Sequence, residues 1–273
     1  MGEAAQWLGA HAVEVFLAAS AGLLAIWFAL WRGLERYEGR LWSAAALVSR
    51  KVAPYRYLSL HLIVGLGVCF AAVLAFGSLA EEVLEREEWA AFDQALAVAL
   101  NRNATPQTAE ALSTITLLGD KWAITAIGIA GAMVLALRRR RLMLAGWTAA
   151  LIGGGLLNVA LKAAFQRTRP ELDSPLATAL GWSFPSGHAM GAMVAYGMLA
   201  YLLVLRFGRT PGPFIVAVAS MLVLAVGFSR IYLGVHYFSD VLGGYLSGIA
   251  WLAVCTSAVE IARRHAGKRE REI

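Results

Sequence analysis

Three clusters of polar residues in the last 112 positions stand out against apolar surroundings: K-x6-R-P from Lys162 to Pro170, P-S-G-H from Pro185 to His188, and S-R-x5-H-x3-D from Ser229 to Asp240. Each borders a long apolar stretch, where charge is costly and usually kept for function. The clusters suit an anion of dispersed charge such as phosphate, which needs cations and hydrogen-bond donors from several directions. Arg169 and Arg230 can each present a planar fork to two oxygens, and Lys162 adds a compact charge. Ser186 can donate its hydroxyl, and Gly187 lets a backbone N–H come close. Pro185-Ser186-Gly187 ahead of an apolar run reads as a helix N-terminus, whose free amides favour anions.

His236 and Asp240 stand four residues apart, on one face if the segment is helical. A carboxylate bonded to one imidazole nitrogen would fix the tautomer and leave the other nitrogen free to attack. His188 could then supply the proton that a leaving alcohol needs. Two plainer readings compete. A His–Asp pair near a helix end is often only a structural hydrogen bond, and His188, His236 and Asp240 could instead ligate a metal. Three cations in one pocket would repel such an ion, and no second carboxylate is conspicuous, so no metal and no cofactor is expected. Arg167 reads as a snorkelling side chain. His11, His61 and His265 have no matching partners, and Cys69 and Cys255 read as thiols buried in apolar spans.

The elements that must position these residues are membrane helices. The chain is 59% hydrophobic and 15% charged, with a mean hydropathy of +0.62, far from an ordinary soluble domain. Nothing patterned in its net charge of +6 points to nucleic acid. Apolar stretches near 10–31, 58–76, 122–137, 142–161, 189–205, 214–228 and 241–261 approach or exceed the roughly 18 residues that cross a hydrocarbon core. The expected fold is all-α, a polytopic transmembrane bundle surrounded by bilayer lipid. The Gly153-Gly154-Gly155 run and Gly243-Gly244 then read as close helix contacts rather than a nucleotide cradle.

Lysine and arginine counts orient the bundle. Segment 32–57 holds six, Arg138–Arg141 four, the turn 206–212 two and the tail 263–273 five, or seventeen of the 24 basic residues. These segments share one side if all seven spans cross, and that side is assigned to the cytoplasm. The three polar clusters then meet on the opposite face. Segment 78–120 is the longest connection on that face, with eight acidic residues against two arginines. Its Leu84, Trp89, Phe92, Leu96 and Leu100 recur at helical spacing, so it reads as amphipathic helices on the membrane surface, packing over the bundle or acting as a lid. Segment 32–57 mixes Arg with Leu, Trp and Tyr and reads as an interfacial helix.

The three clusters, complete and in this order, resemble the signature of the type 2 phosphatidic acid phosphatase superfamily. One departure is Phe238, where many relatives have proline; it removes no chemical group. The resemblance covers 58–262 and implies a six-span phosphatase core there. It leaves 1–57 as an additional apolar helix with its basic segment, and 263–273 as a basic cytoplasmic tail. It implies His236 as a nucleophile forming a phosphohistidine, Asp240 orienting it, and His188 as general acid. Lys162, Arg169, Ser186, Gly187 and Arg230 would bind phosphate oxygens. The implied partner is a lipid phosphate monoester or diphosphate, its tail entering by a groove between the spans that flank His188 and His236. The Ala-rich chain suits a bacterial inner membrane with the site facing the periplasm. The alternatives are an undecaprenyl diphosphate phosphatase specifically, or a transporter or scaffold that keeps an anion pocket.

Overall fold

Long runs of Ala, Leu, Val and Ile without an internal proline build helices throughout, because each satisfies its own backbone hydrogen bonds in an apolar solvent. The computed structural model describes residues 2–48, 56–85, 87–173, 176–208 and 210–269. These hold ten α-helices: α1 (Gly2–Ala10), α2 (Ala12–Val48), α3 (Arg56–Glu85), α4 (Glu87–Asn103), α5 (Pro106–Thr116), α6 (Lys121–Leu137), α7 (Arg141–Phe165), α8 (Gly187–Phe207), α9 (Gly212–Tyr232) and α10 (Phe238–Arg269). Six of them, α2, α3, α7, α8, α9 and α10, contain stretches long and apolar enough to cross a membrane. The seventh expected span, α6, has 17 residues and forms a bent pair with the preceding segment Pro106–Gly119, at 41°.

One element differs from the sequence expectation and one follows it. The basic segment does not begin a separate helix: its described part continues α2, a single helix of 37 residues, while 49–55 lies outside the described residues, as does 270–273 of the tail. The outer segment after α3 holds two helices, α4 and α5, packed over the bundle as expected. Its α4 carries Leu96 and Leu100 into a cluster with Ala5 of α1, Leu112 of α5 and Tyr232 of α9. Burying that stripe is what fixes α4 over one end of the bundle, at about 25 cal/mol per Å² of apolar surface removed from water.

Tight helix contacts align the core. Gly153 passes under the Trp251 ring of α10, with no room for a side chain, and the Trp251 indole N–H donates to Ala150 O at 2.9 Å. At the other end of α10, a Cβ on Gly244 would lie 2.7 Å from Ser186 O. That approach presses the start of α10 against the start of α8. As expected, these glycines serve helix packing.

Candidate active site

The ends of five helices and two connections meet at one end of the bundle. Helix α7 ends with Lys162 in its last turn, stopped by Gln166 in a left-handed conformation. The connection 166–186 follows, with Arg167 and Arg169. Ser186 caps α8, its hydroxyl accepting from Ala189 N at 3.5 Å, so Gly187 and His188 open the helix. Arg230 lies in the last turn of α9, His236 in the turn that follows, and Asp240 in the first turn of α10. All eight residues expected from the sequence are at this end, though their roles are a matter of function rather than geometry.

His236 and Asp240 form the buried centre. His236 is 2% exposed and Asp240 fully buried. His236 Nδ1 lies 3.3 Å from Asp240 Oδ2, and the same oxygen accepts from Tyr237 N at 2.9 Å. A carboxylate oxygen only accepts, so Nδ1 carries the proton and Nε2 the lone pair. That lone pair faces Arg169 Nη1 at 3.3 Å. Burial holds His236 down to a pKa of about 4, against the opposing pull of Asp240. The ring is therefore neutral at neutral pH.

Arg169 is locked by backbone carbonyls: it donates to Leu180 O at 3.0 Å, Gly181 O at 2.9 Å and Val235 O at 2.6 Å. Burial lowers its pKa from the ordinary guanidinium value, with Asp240 opposing. Lys162 Nζ donates to the carbonyls of Trp182 and Ser183. Arg230 is 7% exposed; its Nη1 donates to Thr116 Oγ1 at 2.8 Å, and its buried Nε has no acceptor. Among the described residues, none of these three cations is in a salt bridge. Arg169 at His236 Nε2, with Lys162 and Arg230 at the same end of the bundle, makes a seat for an anion.

His188 has a looser setting. Its Nε2 lies 3.9 Å from Asp120 Oδ2, while Asp120 Oδ1 caps α6 by accepting from Trp122 N at 2.8 Å. Both residues line a cavity of about 360 Å³ with Asn158, Gly155 and Ile124. A second, mostly apolar cavity of about 470 Å³ shares Ile124, Thr125, Leu151 and Gly155 with it and continues along α6 and α7. The groove beside His188 thus runs along α6 and α7, while an apolar cavity of about 400 Å³ lies between α9 and α10, the helices that flank His236, lined by Phe228, Val241 and Tyr245. The groove is open because α6 is a short helix that leaves the face of α7 around Gly155 uncovered.

Arg167 is a correction to the sequence reading. It is no snorkelling charge: its side chain is 9% exposed and bridges two buried carboxylates, Asp240 Oδ1 at 2.8 Å and Asp93 Oδ2 at 2.9 Å. The guanidinium also lies 4.2 Å from the Tyr237 ring centroid. Burial raises the pKa of Asp93, against the bonds from Ser239 and Arg167; burial likewise pushes the Tyr237 hydroxyl up to about 12. Asp93 and Asp120 were not singled out by motif. One signal for Asp93 was in the sequence: it falls on the apolar stripe of α4, four after Trp89 and three before Leu96, where a lone carboxylate needs a partner.

A sequence model of the PAP2 superfamily matches residues 141–264, from the start of α7 nearly to the end of α10. Phosphatidylglycerophosphatase B of Bacillus subtilis is 43% identical over 96 residues, which are 34% of this chain and 47% of that protein. The match thus spans about half the length of that curated relative. The crystal structure of a transmembrane PAP2-type phosphatidylglycerolphosphate phosphatase from Bacillus subtilis is 32% identical, with a TM-score of 0.63 over 70% of this chain and 96% of that one. That of Aquifex aeolicus LpxE is 24% identical, with a TM-score of 0.47 over 57% of this chain and 90% of that one.

Proposed function

Because this chain belongs to the PAP2 superfamily, with that superfamily's multi-pass helical fold, we propose that it is a membrane lipid phosphatase working through a phosphohistidine. The observation that carries this reading is the placement of His236, whose Nδ1 is held on Asp240 and whose Nε2 faces the Arg169 guanidinium. Lys162, Arg169, Arg230, the Ser186 hydroxyl and the Gly187 amide hold the phosphate oxygens. Nε2 attacks phosphorus, the N–P bond forms and the P–O bond to the leaving group breaks. His188 gives its proton to the departing oxygen. Asp240 stabilises the positive charge that builds on the His236 ring. A water then attacks phosphorus and passes a proton to His188, the N–P bond breaks, and free phosphate and neutral His236 are restored.

The substrate is a lipid phosphate monoester or diphosphate. Phosphatidylglycerol phosphate is the first candidate, on the name that the Bacillus subtilis sequence and structure matches carry. The groove between α6 and α7 supports a route for its tail, since it joins the surroundings of His188 to an apolar wall at span depth. A tail kept there is never exposed to water, at about 0.8 kcal/mol per CH₂. No metal is required for this chemistry, because fixed cations do its electrostatic work, so activity should survive EDTA.

We place the site at the non-cytoplasmic face of a bacterial inner membrane. The basic turns Arg138–Arg141 and 206–212 connect the far ends of α6–α7 and α8–α9, opposite the site, which suits a positive inside. The division into an N-terminal helix, a phosphatase core over 58–262 and a basic tail belongs to the same proposal. Phosphate release by purified protein from a panel of lipid phosphates tests the activity; no release from any of them overturns it and favours a scaffold with an anion pocket. Labelling of Leu180→Cys by an impermeant thiol reagent in intact spheroplasts tests the face, and labelling only after permeabilisation would invert it.

A further inference from the structure

Asp93 lies on the outer helix α4, far in sequence from every part of the phosphate site, yet it is 1% exposed. Its carboxylate reaches only groups that adjoin the partner of the nucleophile. Oδ2 accepts from Arg167 Nη2 at 2.9 Å and from the Ser239 hydroxyl, and Oδ1 accepts from Ser239 N at 3.3 Å. Arg167 Nη1 meanwhile donates to Asp240 Oδ1 at 2.8 Å and to Ser239 Oγ at 2.7 Å. We propose that Asp93 is a positioning residue for the His236–Asp240 pair, sharing the charge of Arg167 so that Asp240 keeps its own charge directed at His236. The proposal rests on the phosphohistidine reading.

Two effects follow from the geometry. First, a guanidinium fork facing one carboxylate tends to engage both of its oxygens. Asp93 occupies one arm of Arg167, which leaves Asp240 Oδ2 to His236 Nδ1 and Tyr237 N. With Asp93 neutral, Arg167 would become an undivided counter-ion of Asp240, and the ring would lose the charge that stabilises it as the N–P bond forms. Second, the Ser239 amide is among the first free N–H groups of α10. Asp93 caps it from another helix and so fixes the turn that aims Asp240. Its neighbour Gln94 adds to this hold, accepting from the Tyr237 hydroxyl at 2.9 Å and donating to Glu171 O at 2.7 Å. Helix α4 thereby grips the turn that carries His236 and the connection that carries Arg169.

A tie that merely fastened α4 to the bundle would, when cut, weaken every property of the site alike. Positioning of the nucleophile predicts a split. Inorganic phosphate is held by the cations, Ser186 and Gly187 with no bond to His236, whereas vanadate also takes a fifth ligand from His236 Nε2. Binding of both anions to full-length purified wild type and Asp93→Asn is measured by the rise in unfolding temperature across a titration. Asp93→Asn should bind phosphate within about twofold of wild type and vanadate at least about tenfold more weakly, with kcat down by a similar factor and KM within about threefold. If Asp93→Asn does not fold, Asp93→Glu, which keeps the charge but displaces the carboxylate by one CH₂, should show the same split at a few-fold. Equal weakening of the two anions, or an unchanged vanadate affinity and kcat, would overturn the proposal. Wild-type protein that binds neither anion would overturn the site reading itself, and this proposal with it.

Discussion

The two histidines of the site are held in opposite ways. His236 is closed in, with one ring nitrogen on Asp240 and the other facing Arg169. Behind it stands a chain in which one guanidinium, Arg167, serves two carboxylates, Asp240 and Asp93, all buried or nearly so. His188 has 23% of its side chain exposed, one carboxylate at 3.9 Å and a groove beside it. The contrast suits the two tasks proposed for them. A nucleophile must meet phosphorus along one line, so every degree of freedom it keeps lowers the rate. A proton carrier must reach a leaving oxygen in one step and a water in the next, so it needs access more than fixity.

Removing each histidine should separate the two halves. His236→Ala deletes the group that accepts the phosphoryl, and no neighbouring side chain can replace it. Turnover should fall on the order of 10⁴-fold or more, and no acid-labile phosphoprotein should be trapped on rapid quenching, whichever leaving group is used. Residual activity near wild type would end the covalent mechanism.

His188→Ala should cost less, on the order of 10² to 10⁴-fold on a lipid alcohol leaving group. Much of that loss should vanish with p-nitrophenyl phosphate, whose leaving group departs without a proton. The contrast to measure is the ratio of the two substrates in each variant. If both variants lose the same factor on both substrates, the division of labour between the halves fails.

How far these halves could be read from the sequence also differs. The eight motif residues could be brought to one end of the bundle from spacing, residue type and the order of the spans, and the start of α8 follows from Ser186 before an apolar run. Arg167 was misread because its two partners are 73 and 74 residues away, and no local pattern announces a bridge at that separation. Asp93 left a trace as a carboxylate on an apolar stripe; Asp120 left none beyond a cap before α6. The groove along α6 and α7 escaped too, since it depends on how short α6 is relative to α7 and on the bend between α6 and the segment before it, properties of packing rather than of pattern.

The groove offers a smaller effect on the open side. Gly155 lines both cavities, and a Cβ there would meet nothing within 4 Å. Gly155→Phe should therefore fold and fill the tail path. Displacing two CH₂ groups of substrate at about 0.8 kcal/mol each predicts kcat/KM lower by about tenfold on long-chain lipid phosphates. On p-nitrophenyl phosphate it should stay within about twofold of wild type. An equal loss on both would mean that the tail runs elsewhere.

The smallest effect is a matter of slope, and it concerns the closed side. An exposed imidazole titrates near 6.5, but burial lowers His236 to about 4 despite Asp240. The sign follows directly: a lowered pKa means the free enzyme keeps its lone pair as pH falls through 6.5 and loses it only near 4. Because kcat/KM reports the free enzyme and free substrate, the substrate adds its own limb near about 6, where its phosphate takes a proton. In His188→Ala, where no general acid adds a limb of its own, the logarithm of kcat/KM should thus fall with a slope of one below that point and steepen to two near pH 4. Changing from a monoester to a diphosphate lipid should move the first break and leave the second. A second break near 6.5 would show His236 to be solvated like an ordinary imidazole, and the contrast between a sealed nucleophile and an open acid would be lost.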